Sequence, residues 1–387
     1  MTANTWDLVV VGAGPAGSTA AIAALRADPG ARVLLLDAAD FPRDKVCGDG
    51  VAPHALDVLA DLGVDVAALV AGTEPITSLR MVSPGGVVAA RTFARRAAVV
   101  PRVLLDERLV RVAVASGAVL RRRRVRTVVA ADDEVLVDGD IRARVVVGAD
   151  GAESVVRRQC GGRPAPAGTV AVALRGYAPA DPWPSGEQLL TMTGADWPAY
   201  AWAFPVGDGT ANVGYGQLVT GVVPTRARMT ERLHRLLPDL APLSLRGHRL
   251  PLSTGRPEVG HGRVLLTGDA ASLVNPLTGE GIYYAVLSGG LAGAAAMTPD
   301  PARTYRRALR GRLGGHLRHT DLLARLTRRP WPLDLATAAA AANQDAFDRF
   351  VEIGLGAGKV DARLLVALVA AAGRHRFDRE PGVADAE

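Results

Sequence analysis

Apolar and polar positions repeat along this chain with two different periods, and the switches between them mark its elements. Leu8–Val11 and Val33–Leu36 are unbroken apolar runs, as in parallel strands buried on both faces. Between them, Ser18–Arg26 carries a helical pattern. Strand, glycine turn and helix recur in RARVVVGADGAESVVRR (142–158) and in GRVLLTGDAASLVNPLTGEGIYYAVLSGGLAGAAA (262–296). Helices are also predicted over His54–Leu62 and Val103–Ala115, with a hairpin at Ser83–Gly86. Residues 168–255 hold short strand-like runs broken by prolines and read as a separate antiparallel sheet. From Pro301 onward the chain is helical and arginine-rich. The class is α/β.

The first turn carries chemistry. Gly12, Ala13, Gly14, Pro15, Ala16 and Gly17 spell GxGxxG between a strand and a helix, and Asp37 follows 20 positions after Gly17. That context is the dinucleotide fingerprint. Gly12 permits the tight turn, Gly14 lets backbone approach a pyrophosphate, and Gly17 lets the helix pack on the strand. The helix start offers free N–H groups and partial positive charge to phosphates. Asp37 suits ribose hydroxyls. Helices are expected over 301–375 and a disordered tail over 376–387.

Composition narrows the partners. The 387 residues are 49% hydrophobic, enough for a large core, and the net charge of +6 invites a nucleic-acid reading. That reading fails: arginine supplies nearly all the positive charge, the run Arg121–Arg126 looks like a solvated strand, and only 4% of residues are aromatic. No nucleic-acid partner is expected. Cys47 and Cys160 form no CxxC pair, the N-terminus shows no signal-peptide pattern, and no apolar run reaches the ~20 residues of a membrane span. The expected compartment is a reducing cytoplasm, with no stable membrane insertion. His316 and His319 lack the zincin pattern and read as surface residues of a basic helix, so no metal is expected. GLGAGK (354–359) lacks P-loop spacing.

GxGxxG, then GADG at 148–151, then GDAA at 268–271 followed by NPLTGEG, recur in this order in flavoprotein monooxygenases and their relatives. The chain thus resembles the FAD fold of the para-hydroxybenzoate hydroxylase type. FPRDKVCGDG (41–50) and AYAWAFPVGDGTANVGYG (199–216) resemble segments of the geranylgeranyl reductase family, whose actinobacterial branch includes reductases of the menaquinone isoprenoid tail. The resemblance runs from residue 5 to about 370. It implies a Rossmann-like dinucleotide-binding domain from residues 1–75, 95–167 and 256–300, interleaved with an antiparallel substrate domain from 76–94 and 168–255. It implies FAD as cofactor, with contacts at Ala38, Arg43, Cys47, Gly48, Arg102, Val125, Asp150, Gly151 and Gly268. It places Asp269 at the ribityl chain. Pro276, Gly279, Gly281 and Ile282, with Asn275 and Glu280, fall beside the ring and pyrophosphate. His54 departs from the pattern, standing where the quinone-tail branch leads us to expect arginine.

The resemblance implies reduction of carbon–carbon double bonds in an isoprenoid-type or other apolar substrate. The same fold permits a monooxygenase or oxidase of a biosynthetic intermediate. Tyr200, Trp202 and Phe204 share one strand face. They line a substrate cavity with Pro205, or they are core. Cys47 packs, donates a proton or exchanges electrons with a second thiol. Asp49 is expected to cap the helix near Pro53. There is no second dinucleotide unit, so electrons are expected from docking NAD(P)H or an external reductase. Flavin halogenases depend on a cavity lysine, and the central region has none: Lys45 and Lys359 are the chain's two lysines. Peripheral contact of the C-terminal helices with an anionic membrane is an expectation for a lipid substrate.

Overall fold

A computed structural model describes residues 5–163, 165–180, 184 and 186–377. Two eight-stranded sheets organise them. In the first, the strands Val264–Leu266, Ile141–Gly148, Thr5–Val11, Val33–Asp37 and Val119–Arg122 lie side by side and parallel. Leu8, Val9, Val10, Leu34, Leu35, Leu36 and Val145 to Val147 are fully buried. Each such side chain contributes about 2 kcal/mol by leaving water, which is why these runs carry no polar alternation.

Helices Pro15–Ala27 and Ile282–Ala296 cover this sheet. They touch backbone to backbone: a Cβ on Gly289 would stand 2.1 Å from the Ala16 carbonyl oxygen, and one on Gly293 would stand 2.0 Å from that of Ala20. The small residues of SGGLAGAAA are a close helix contact.

The second sheet runs Arg246–Pro251, Val170–Pro179, Thr210–Leu218, Ala199–Pro205, Glu187–Met192, Pro75–Val82, Val88–Val99 and Gly50–Val51. It is not wholly antiparallel, because Glu187–Met192 and Pro75–Val82 pair in parallel. Strand Val88–Val99 also continues past residue 94, so the division expected there falls inside a strand. Gly50–Val51 joins the same sheet and draws the preceding loop against it. Helices Pro301–Leu326, Trp331–Ala342, Gln344–Leu355 and Ala362–Phe377 close the chain. Of the tail expected from 376, residues 378–387 lie outside the described residues.

Candidate flavin and substrate site

One cavity of about 1810 Å³ lies between the two sheets and runs on beneath the C-terminal helices. At one end is the glycine turn. Gly12 has φ +98°, and a Cβ there would meet the Ala149 carbonyl oxygen at 2.4 Å. Gly14 precedes helix Pro15–Ala27 with no side-chain cap, leaving the first N–H groups free. The Asp37 carboxylate accepts from the Ala13 N–H at 2.9 Å, from the Ala39 N–H at 3.0 Å and from Arg43 at 3.3 Å. It ties the glycine turn to the second strand. Ala38 and Val125 line the same end.

Behind Gly14 stand two arginines. Arg102 makes a buried two-pronged pair with Asp106, at 2.6 and 2.8 Å, and Arg43 reaches Asp106 at 3.0 Å. Burial works against the Arg102 charge, but the Asp106 carboxylate outweighs it and holds the guanidinium above its ordinary pKa. An uncapped helix start flanked by two fixed guanidinium groups fits a diphosphate.

The middle of the cavity is walled by two further turns. Gly151 and Asp150 line it, yet the Asp150 carboxylate is engaged by the N–H groups of Val155 and Val156 and the Ser154 hydroxyl, at 2.6, 3.2 and 2.6 Å. It holds the start of helix Val155–Gln159. Asp269, on the turn Gly268–Ala271, pairs with Lys45 at 3.2 Å. Burial raises its pKa, but Lys45, His248 and Arg102 outweigh burial and keep it low. Gly268 sits behind the wall, its N–H donating to the Ser288 hydroxyl at 2.9 Å. Pro276, Gly279, Gly281 and Ile282 all face the cavity. Glu280 accepts from the Tyr283 N–H at 2.7 Å, and burial pushes its pKa up to about 7.

His316, expected on the surface, is fully buried. Its ring nitrogens lie 2.6 Å from the Tyr284 hydroxyl and 2.6 Å from the Gly358 carbonyl. Burial lowers its pKa, so the ring is neutral, with Nδ1–H donating to Gly358 and Nε2 accepting from Tyr284. Asn275 donates to Tyr284 and to the Ile353 and Gly354 carbonyls, and the Thr278 hydroxyl donates to Gly354. GLGAGK is thus a backbone clamp that holds the NPLTGEG loop.

Tyr200, Trp202 and Phe204 form a row on the cavity wall, with ring centroids 5.9 and 6.4 Å apart. Pro205, expected with them, is not on that wall; strand alternation turns it away. Tyr200 donates to the Thr278 carbonyl at 2.5 Å, joining the aromatic row to the NPLTGEG loop.

Cys47 and Gly48 complete the wall. A Cβ on Gly48 would lie 3.3 Å from the Phe204 ring. Burial pushes the Cys47 thiol pKa up, against the pull of Arg102, so the sulfur stays protonated. Both cysteines are free thiols. The loop is pinned by residues that sequence reading missed. Arg175 donates to the Cys47 and Lys45 carbonyls at 3.0 and 2.8 Å and pairs with Asp44 at 2.7 Å. Asn212 donates to the Cys47 carbonyl at 2.9 Å. The available signal was an arginine and an asparagine inside otherwise apolar strand runs. Asp49 does not cap the helix at Pro53, which begins without a side-chain cap. Its fully buried side chain bonds to Tyr177 and Asn212 instead.

Similarity to known proteins shows the family of the chain. Residues 5–238 match a family described as FAD binding domain. Menaquinone reductase of Mycobacterium tuberculosis is 36% identical over 80% of this chain and 80% of its own length. Geranylgeranyl diphosphate reductase of Rhodobacter capsulatus is 34% identical over 76% of this chain and 75% of its own length. The chain belongs to the geranylgeranyl reductase family of FAD-dependent oxidoreductases. A geranylgeranyl bacteriochlorophyll reductase-like protein of Thermoplasma acidophilum shares the fold, with TM-score 0.72 and 22% identity over 96% of both chains. So does the flavin-dependent brominase Bmp2, with TM-score 0.72 and 19% identity over 97% of this chain and 99% of its own. In this family member the glycine turn, the paired arginines and the Asp269 turn line one cavity. Among the described residues no group of three or more His, Cys, Asp or Glu side chains is placed to hold a metal ion.

Proposed function

We propose that this protein reduces carbon–carbon double bonds in an isoprenoid chain. The observation that carries the reading is the cavity. At about 1810 Å³ it exceeds the roughly 300–1,000 Å³ of a pocket for one small ligand. Its far end is apolar, walled by Leu277, Leu323, Leu335, Phe350 and Leu368. This is room for a flavin and a long apolar chain end to end. The names of the relatives, reductases of menaquinone and geranylgeranyl compounds, support it.

In this reading Gly14, Arg43 and Arg102 would hold the diphosphate of FAD, Asp37 its ribose and Asp269 its ribityl chain, with the segment Pro276–Ile282 toward its ring. When bound and reduced, the group would supply the hydride for an alkene carbon. Protonation of a trisubstituted alkene places positive charge on a tertiary carbon, and the faces of Tyr200, Trp202 and Phe204 each stabilise it by ~0.5–2 kcal/mol. The Cys47 thiol holds a proton at Sγ on the cavity wall. Electrons come from NAD(P)H or an external reductase.

No described helix is long and apolar enough to cross a membrane. Leu322, Leu326, Trp331 and Leu365 are more than half exposed and also line the cavity, beside Arg325 and Arg328. This rim fits peripheral contact with an anionic bilayer by a cytoplasmic enzyme, each basic residue adding ~1 kcal/mol.

The reading is checked by titrating oxidised holoprotein with prenyl alcohols and following the flavin absorbance. Geranylgeraniol is expected to perturb the spectrum saturably. Geraniol, shorter by half, is expected to bind at least ~100-fold more weakly, because each buried methylene contributes ~0.8 kcal/mol. Equal affinities would contradict a long apolar site.

A further inference from the structure

We propose that Asp49 is a positioning residue of the reaction chamber, fixing the Trp202 indole and the Cys47 carbonyl through Asn212, with its charge setting how firmly they are held. The hydrogen bonds leave Asn212 one orientation. Its amide nitrogen donates to Asp49 Oδ2 at 2.7 Å and to the Cys47 carbonyl at 2.9 Å, while its Oδ1 accepts from Trp202 Nε1 at 2.9 Å. A flipped amide would face two acceptors with its own oxygen and leave the indole N–H without one.

Asp49 itself is fully buried, and its Oδ1 has no hydrogen-bond partner among the described residues. Both donors, the Tyr177 hydroxyl and Asn212, converge on Oδ2. A proton therefore has one open place, Oδ1, where it leaves the hydrogen-bonded geometry intact but removes the charge. Hydrogen bonds to a charged acceptor are about twice as strong as neutral ones. Ionised Asp49 grips Asn212 and hence Trp202; neutral Asp49 relaxes the grip.

The switch lies in an accessible range. Burial pushes the Asp49 pKa up to about 6, against Tyr177 and Arg175 from one strand, Asn212 from the next and Arg102 from the helix behind. Cys47, on its own loop, also interacts with Asp49, and its thiol stays protonated throughout this range. The backbone at Asp49 has φ +61°, a conformation asparagine tolerates well. Asp49→Asn is therefore a conservative replacement that fixes the neutral state.

Indole ¹⁵N NMR tests this without any turnover. The chain has five tryptophans, and Trp202→Phe assigns the Trp202 signal. In the wild-type holoprotein that signal is expected to shift with a midpoint near pH 6, and in Asp49→Asn to stay flat. Tyr177→Phe removes one donor to the carboxylate and is expected to move the midpoint upward. With a prenyl substrate, Asp49→Asn is expected to raise KM roughly five- to tenfold at pH 8, where wild-type Asp49 is ionised, and to change it little at pH 5. A purely structural role would give a pH-independent loss. A Trp202 signal flat between pH 5 and 7 in the wild-type protein overturns the proposal, whatever the substrate proves to be. So does a midpoint unchanged in Tyr177→Phe.

Discussion

Gly17→Ala is expected to yield protein that purifies without flavin. The added methyl would stand 1.8 Å from the Gly12 carbonyl oxygen and 3.1 Å from Val10 Cγ1. The nearest obstacle is backbone, and it belongs to the turn that faces the phosphates, so relief means moving the helix off the strand. Overpacking of this kind costs ~1–3 kcal/mol when side chains can yield, and more when they cannot. We expect FAD occupancy below about a tenth of wild type and a destabilisation of at least ~3 kcal/mol in urea unfolding. Gly311→Ala is the control. It lies in helix Pro301–Leu326, where the added carbon would meet no described atom within 4 Å beyond its own neighbours and helix backbone, and it is expected to be neutral or stabilising by ~0.5–1 kcal/mol. A yellow, normally stable Gly17→Ala protein would contradict the contact.

Asp106→Ala is expected to destabilise by about 3–5 kcal/mol, the range for breaking one side of a buried ion pair. Arg102 is 4% exposed and Asp106 is fully buried, so the mutation leaves a largely buried guanidinium without its carboxylate partner. Arg43 also loses its 3.0 Å partner. Replacing both members, as Arg102→Met with Asp106→Leu, is expected to recover most of the stability, since apolar pairs of similar volume commonly match a buried ion pair. It is not expected to recover FAD affinity if Arg102 serves the diphosphate. Urea melts and flavin binding, measured on both variants, separate the two roles.

What was legible in the sequence follows from distance along the chain. The glycine turn, Asp37 and the GADG and GDAA turns sit beside the strands and helices that shape them, so local pattern sufficed. The aromatic row was legible from strand alternation. What stayed hidden joins distant segments. Arg175 reaches the Cys47 carbonyl across 128 positions, and Asn212 reaches it across 165. Acids suit helix starts, so the sequence points to Asp49 as a local cap. Its left-handed backbone turns the carboxylate to Tyr177 and Asn212 on the second sheet instead. His316 read as surface because its neighbours are arginines. Its true partners, Tyr284 and Gly358, come from other helices and loops.

In the proposed reaction the cavity joins flavin chemistry to an apolar chain that accepts hydrogen. The most direct test is anaerobic. Holoprotein is reduced chemically under argon, mixed with a polyprenyl menaquinone, and the extracted lipid is weighed by mass spectrometry. The expected result is a gain of two hydrogen atoms in the isoprenoid tail, with reoxidation of the flavin and no need for oxygen. A tail unchanged under argon, with product gaining an oxygen atom only when air is admitted, would contradict the reductase reading.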